Sequence, residues 1–284
     1  MPYIEVSQVN HYYEWIGADT PRDSASPKPV MVFIHGWAGS ARYWQSTAMA
    51  LADRYDCLLY DMRGFGRSRI GPDQQEAAAA RGYELETYAE DLAALLKALN
   101  LPQVSINAHS TGASVAVYFL NQYPGLCDRA ILTCNGIFEY DKAAFEAFYK
   151  FGGYVVAFRP QWLGKIPLMP RFFMARFLSR PIPAAEKVAF LEDFLAADYG
   201  TALGTIFTSV SKKATEVMPV EFAQIAVPTL LVSGEFDKIT PAELGRKAAD
   251  LNPNIEYALV KNTGHFPMLE DPEAYLGYVN EFLG

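Results

Sequence analysis

The chain has 284 residues, 51% of them apolar, enough for one large domain with a buried core and inconsistent with a disordered or fibrous chain. Its 24 Lys and Arg against 32 Asp and Glu give a net charge of −8, and the basic residues form no runs, which argues against nucleic acid or an anionic membrane as the main partner. The three cysteines, Cys57, Cys127 and Cys134, each sit in an apolar segment, as expected of buried thiols in a reducing compartment.

Met1 to Gln8 lacks a secretory pattern, and no uninterrupted apolar run approaches a membrane span. A cytoplasmic protein without stable membrane insertion is the expectation. Residues 3–16 mix alternation with aromatic and β-branched residues and predict an antiparallel pair at a sheet edge. Asp19 to Lys28 reads as a surface loop. Val30 to Ile34 is a continuous apolar run, the mark of a strand buried on both faces, and His35-Gly36-Trp37-Ala38-Gly39-Ser40 ends it. A helical stretch with Trp44, Ala48 and Leu51 follows, Trp44 being assigned to core packing. The next buried strand, Cys57 to Tyr60, ends in the charged, glycine-rich turn Asp61-Met62-Arg63-Gly64-Phe65-Gly66-Arg67-Ser68.

Ile70 to Gly82 is expected to be a surface loop or short helix. Leu85, Tyr88, Leu92, Leu95, Leu96 and Leu99 recur at helical spacing, and this helix leads into Val104-Ser105-Ile106-Asn107-Ala108-His109-Ser110-Thr111-Gly112. That stretch is a strand, a sharp turn between small residues and the start of a helix, with a serine hydroxyl at its apex. It matches the G-x-S-x-G pattern with Ala108 in place of the first glycine. Taken alone, the serine could equally be an ordinary polar turn. Arg129 to Thr133 forms another strand.

From Phe138 to Phe207 the strand–helix rhythm stops, aromatic density roughly doubles, and five prolines punctuate helical stretches. The expected organisation is a core segment 1–137, an inserted helical module 138–218 and a second core segment 219–284. Within the module, most of Phe145, Phe148, Tyr149, Phe151, Tyr154, Phe158, Trp162, Phe172, Phe173 and Phe177 are expected to form its own core, the remainder roofing a cleft. Alternation then resumes with strands at Val227 to Val232 and Ile255 to Val260 and helices at Ala242 to Leu251 and around Tyr275, Tyr278, Val279 and Phe282. The class is α/β, with a mostly parallel, doubly wound sheet.

A serine needs a base, and the base needs a group that holds its tautomer. Of the four histidines, His11 lies in the edge hairpin, His35 ends a buried strand, and His109 is expected to face away from Ser110. His265, in Gly264-His265-Phe266-Pro267 just after the last strand, is free to reach across the carboxyl ends of the sheet. The acid is Asp237 in the Gly234-Glu235-Phe236-Asp237 loop, with Glu235 the less well placed neighbour. No His, Cys or carboxylate set recurs at metal-ligand spacing, and Gly64-Phe65-Gly66 lacks the setting of a phosphate loop, so neither a metal nor a cofactor is expected.

With the His35-Gly36 turn, the Asp61-x-Arg63-Gly64-x-Gly66-x-Ser68 segment, the serine turn and the loops of Asp237 and His265 in this order, the chain resembles the α/β-hydrolase superfamily, in its single-domain branch with a helical cap. The resemblance covers the chain outside the module 138–218. It implies an α/β-hydrolase sheet with an inserted cap, Ser110, Asp237 and His265 as catalytic residues, and backbone N–H groups of Trp37 and Thr111 as oxyanion donors. It further implies that Asp61, Arg63 and Ser68 tie loops together.

Trp37, Phe138, Ile239 and Phe266 are the expected pocket lining. The implied activity is cofactor-independent hydrolysis of a carboxylic ester of a lipophilic or aromatic small molecule through an acyl-enzyme. Serine at position 110 sets aside epoxide hydrolases and haloalkane dehalogenases, which use aspartate there. A C–C bond hydrolase, a proline iminopeptidase-like amidase using Glu139, Asp141, Glu146, Glu192 or Asp193, and a ligand receptor that retains the triad stay open as alternatives. Oligomeric state is not legible.

Overall fold

The computed structural model describes residues 3–18 and 26–284; positions 19–25, expected as part of a surface loop, and the side chains of Ala144 and Phe148 lie outside the described residues. The strands are β1 (Tyr3–Val6), β2 (Val9–Ile16), β3 (Val30–Ile34), β4 (Asp56–Tyr60), β5 (Val104–His109), β6 (Cys127–Thr133), β7 (Thr229–Gly234) and β8 (Ile255–Val260). They form an 8-stranded sheet in the order β1-β2-β4-β3-β5-β6-β7-β8. The β1–β2 and β2–β4 pairs are antiparallel and every other pair is parallel.

The helices are α1 (Gln45–Leu51), α2 (Gln75–Arg81), α3 (Leu85–Ala98), α4 (Thr111–Gln122), α5 (Lys142–Ala157), α6 (Met169–Met174), α7 (Ala184–Ala196), α8 (Tyr199–Ser209), α9 (Lys212–Gln224), α10 (Ala242–Ala249), α11 (Pro267–Glu270) and α12 (Pro272–Leu283). β3 reads as an unbroken apolar run and β4 as one from Cys57 on, because consecutive side chains enter opposite layers, both of them covered, while β5 alternates apolar residues with the buried Ser105, Asn107 and His109. Val32, Ile34, Leu58, Tyr60 and Ile106 pack with Leu92, Leu95 and Leu96 of α3 and with α4. Met31, Phe33, Cys57 and Leu59 pack on the other side with Leu51 of α1 and Tyr275, Val279 and Leu283 of α12.

Chain order reverses about β3: β4 lies on one side of it and β5, reached next, on the other. Such a switch point opens a crevice at the carboxyl ends of the strands. The His35 turn leaves β3 and the Ser110 turn leaves β5 at this crevice. The two approach so closely that a Cβ on Gly112 would stand 2.3 Å from the His35 carbonyl oxygen, so the helix start admits no side chain there.

Helices α5 to α9 lie between β6 and β7. α9 runs unbroken through position 218, where the helical module was expected to end, and packs against α4 and α10. The segment 70–82 is a turn followed by α2.

One expectation is overturned in this region. Phe145 is buried, but Phe151 (69% exposed), Phe158 (66%), Phe172 (70%), Tyr154 and Trp162 are not part of a core. The reason is geometric. α5 buries the face carrying Phe145, Gly152 and Val156 against α8 and turns Phe151, Tyr154 and Phe158, spaced three and four apart, to the outside.

Candidate active site

Ser110 stands between β5 and α4 with φ 53° and ψ −121°. A non-glycine residue at positive φ costs about 1–3 kcal/mol and persists only where its surroundings over-determine it. They do so here: the Ser110 N–H donates to the Thr133 carbonyl (2.9 Å), and its own carbonyl accepts from Ala113 N (2.9 Å), Ser114 N (3.1 Å) and Asn135 Nδ2 (2.8 Å). Asn135 also bonds the Ser114 hydroxyl, at 2.8 Å. The turn is thus clamped from β6 as well as from its own helix, leaving the Oγ raised at the strand end.

His265 Nε2 is 3.0 Å from Ser110 Oγ, and His265 Nδ1 is 2.7 Å from Asp237 Oδ2. Because the Asp237 carboxylate can only accept, Nδ1 carries the proton, and Nε2 is left to accept from the serine hydroxyl. The other carboxylate oxygen of Asp237 accepts from the N–H groups of Ile239 (2.7 Å) and Thr240 (3.1 Å), which fixes its rotation. Glu235 is turned outward and accepts instead from Asn262 N. The β7 and β8 loops meet tightly: a Cβ on Gly234 would fall 1.9 Å from the Gly264 carbonyl oxygen.

Three supporting residues, Asn135, Glu270 and Tyr43, were not found in the sequence. Glu270, buried in α11, accepts from the backbone N–H groups of Gly264, Phe266, Ser179 and Arg180, and the His265 N–H donates to the Phe177 carbonyl at 2.7 Å. The histidine loop is thereby stitched to the segment after α6. His109 does not face away from the site, as had been expected. Its ring lies 4.8 Å from that of His265, and its Nε2 donates to the His265 carbonyl at 2.7 Å.

Its Nδ1 accepts from the Tyr43 hydroxyl (3.0 Å), which in turn accepts from Gly36 N (2.6 Å). Burial and the neighbouring His265 hold His109 well below the usual histidine range, so it stays neutral, and burial pushes Tyr43 well up, so it stays a phenol. A continuous relay therefore runs from the His35-Gly36 turn through Tyr43 and His109 to the His265 backbone. Tyr43 lies only seven residues from Gly36, but His109 is distant from both Tyr43 and His265, and only the packed fold brings these together.

Trp37 and Thr111 follow the two turns that converge at Gly112. Among the described residues, neither backbone N–H has an acceptor within the protein, and that of Thr111 opens α4. The Trp37 indole is half-buried; its Nε1 donates to the Ala202 carbonyl and its ring packs on Phe194, so α7 and α8 rest directly on this turn. Phe138 and Ile239 are half-buried at strand ends. Phe266 is buried among Tyr43, His109, Phe177 and Phe190, where its ring supports the histidines from below.

The Asp61 turn is a structural knot. Asp61 accepts from Ala41 N and from Arg67, the Ser68 hydroxyl donates to the Asp61 carbonyl and accepts from Tyr12 N, and Arg63 pairs with Asp91 at 2.9 Å. Among the described residues one buried group, His109, Cys134 and His265, brings three possible metal-ligand atoms within 4.8 Å of one another. Its donors do not suit a cation: both nitrogens of each histidine are engaged, and burial pushes the Cys134 thiol well up.

A family model described as alpha/beta hydrolase fold matches residues 29–272. Among curated proteins, an uncharacterized hydrolase of Bacillus subtilis (strain 168) is 24% identical, covering 98% of this chain and 96% of its own length. The 2-(acetamidomethylene)succinate hydrolase of Mesorhizobium japonicum is 24% identical, over 90% of this chain and 88% of that protein. Among solved structures, an esterase from Exiguobacterium antarcticum superposes with a TM-score of 0.80 at 18% identity, over 99% of both chains.

Proposed function

Since the chain belongs to the α/β-hydrolase fold family, we propose that it is a serine hydrolase that cleaves a carboxylic ester of a lipophilic or aromatic small molecule through an acyl-enzyme. The observation that carries this reading is the hydrogen-bonded series from Asp237 through His265 to a serine held at positive φ at a strand end.

The steps follow from the proton positions. Ser110 Oγ attacks the ester carbonyl carbon while its proton passes to His265 Nε2. The Asp237 carboxylate stabilises the resulting imidazolium through Nδ1–H. The N–H groups of Trp37 and Thr111 receive the negative oxygen of the tetrahedral intermediate, an interaction worth about 10²–10³ in rate per donor. Collapse breaks the bond to the alkoxide, which leaves with the proton from His265 Nε2. Water, deprotonated by the same nitrogen, then cleaves the acyl-Ser110 ester and releases the acid.

The lipophilic preference rests on the roof over Trp37, where the rings of Phe194 and Phe173 lie 4.9 Å apart and tilted, and Phe177 lies beside His265. An aminopeptidase reading has less support because four of its five acidic candidates pair with cations. Glu139 pairs with Lys247, Glu146 with Lys142, and Glu192 and Asp193 with Arg42. The test is a panel of p-nitrophenyl esters of increasing acyl length beside proline p-nitroanilide. Multiple turnover of the esters, favouring longer or aromatic acyl groups, is expected. Turnover of the anilide alone, or none at all, would overturn the proposal.

A further inference from the structure

The helical segment between β6 and β7 carries an outward surface that serves neither the core nor the crevice. Phe151 and Tyr154 of α5 and Phe158 just past its end form one exposed stripe. Trp162 continues it, its ring 6.4 Å from that of Phe158, and Leu168 and Phe172, one turn apart at the start of α6, extend it further. A groove beside Phe158, lined also by Arg159, Pro160 and Tyr199, is of mixed polar and apolar character and adds a further cation to this side. An exposed patch of this breadth on a water-facing helix is costly unless something covers it.

Charge identifies the cover. Although the chain as a whole has a net charge of −8, residues 142–180 contain seven Lys and Arg and a single acidic residue, Glu146. Lys150, Lys165, Arg171 and Arg176 are exposed beside the aromatic residues, and among the described residues none of these four pairs with a carboxylate. The overall acidic balance therefore conceals a locally basic, aromatic face. Trp, Tyr, Phe and Leu ringed by Lys and Arg are the composition that settles at the headgroup level of a bilayer.

We propose that this face, centred on Phe158, Trp162 and Phe172, docks the protein onto an anionic phospholipid surface. The aromatic side chains enter the acyl boundary, and the four cations meet lipid phosphates. A second copy of the chain fits less well, because a symmetric pair would bring the same cations face to face. The binding is peripheral: no described helix is long and apolar enough to cross a membrane. α6 links the face to the crevice, since Phe172 points outward while its neighbour Phe173 packs on Phe177 and Phe194 beside His265. The proposal does not depend on the hydrolytic reading.

The experiment is flotation of the full chain with vesicles of phosphatidylglycerol and phosphatidylcholine, or of phosphatidylcholine alone. Binding to the anionic vesicles is expected, at least about tenfold stronger than to the neutral ones and lost at ~0.5 M salt, where screening shortens to a few ångströms. Phe158→Ser with Trp162→Ser, and separately Lys165→Glu with Arg171→Glu, should each weaken it at least about tenfold. Both pairs are exposed, so circular dichroism should match the wild type, and Ser110→Ala should bind undiminished. Absence of binding to either vesicle, or binding that neither pair reduces, would overturn the proposal. So would a wild-type dimer that the aromatic pair dissolves, which would make a second copy the occupant.

Discussion

The strand-end side of the crevice and the helices above it are built on different principles. Below, almost every group near Ser110 is buried and engaged: Asp237 by two N–H groups and His265, the His265 loop by Glu270 and Phe177, and the His265 carbonyl by His109. Above, α5 and α6 contribute aromatic side chains to the interior on one face and leave large ones exposed on the other. The over-determined side has one geometry and can hold a strained serine. The upper side is fastened to it by the Trp37 indole, the Phe177–Arg180 strap, the bonds of Ser40 and Arg42 to Asp193 and the stacking of Phe190 on Tyr43, and only its far face is left uncovered.

The comparison is most exposed to failure at Asp237. Replacing Asp237 with Asn should leave the fold intact but remove the acceptor that holds the Nδ1–H tautomer, lowering kcat for an aryl ester by about 10⁴-fold. A loss under tenfold would show that the tautomer is set by something else.

Glu270 gives the next largest effect. Glu270→Gln presents an amide NH₂ to a set of backbone donors and should destabilise the protein by about 3 kcal/mol in urea unfolding. Because those donors include Gly264 and Phe266 on either side of His265, kcat should fall with it. Unchanged stability would mean that the strap is not what joins the two sides.

Tyr43→Phe removes the hydroxyl between Gly36 N and His109. It should cost about 1–3 kcal/mol, with a smaller loss in kcat than Asp237→Asn.

A pH effect closes the series. Burial lowers His11, His35 and His109 from the ordinary 6.5. In the folded state they resist protons that the unfolded chain accepts, so stability is fully present above pH 6.5 and declines as pH falls below it. Each histidine contributes up to about 1.4 kcal/mol per pH unit until its folded value is reached. Urea midpoints should therefore drop between about pH 6.5 and 5, ahead of general carboxylate titration. A flat profile there would contradict the neutral assignment of the relay.

How much of this was legible in the sequence divides along the same line. β3, β4 and β7 announce themselves by their apolar runs, since both faces are covered, whereas β5 alternates Val104, Ile106 and Ala108 with the buried polar Ser105, Asn107 and His109 and is marked by the serine turn it leads into. Ser110, Asp237 and His265 stand out because each follows a strand in a turn of small or flexible residues. Tyr43, Asn135 and Glu270 could not be found that way, since their residue types are common and part of their bonding, Tyr43 to His109, Asn135 to Ser110 and Glu270 to Ser179 and Arg180, joins remote parts of the chain. His109 misled for a related reason: strand alternation predicts which way a side chain leaves the backbone, not where a long ring ends among loops that fold over it. For Phe151, Phe158 and Phe172 the rule that large aromatics are buried failed, because α5 and α6 turn one face to the rest of the protein and these residues lie on the other.

The most direct test of the central claim is labelling by a fluorophosphonate probe, read by intact mass and peptide mapping in the wild type and in Ser110→Ala. One probe adduct on Ser110, accompanied by loss of ester turnover and absent from the variant, is the predicted result. An unlabelled wild type, or a Ser110→Ala variant that is labelled and turns over esters like the wild type, would contradict the account.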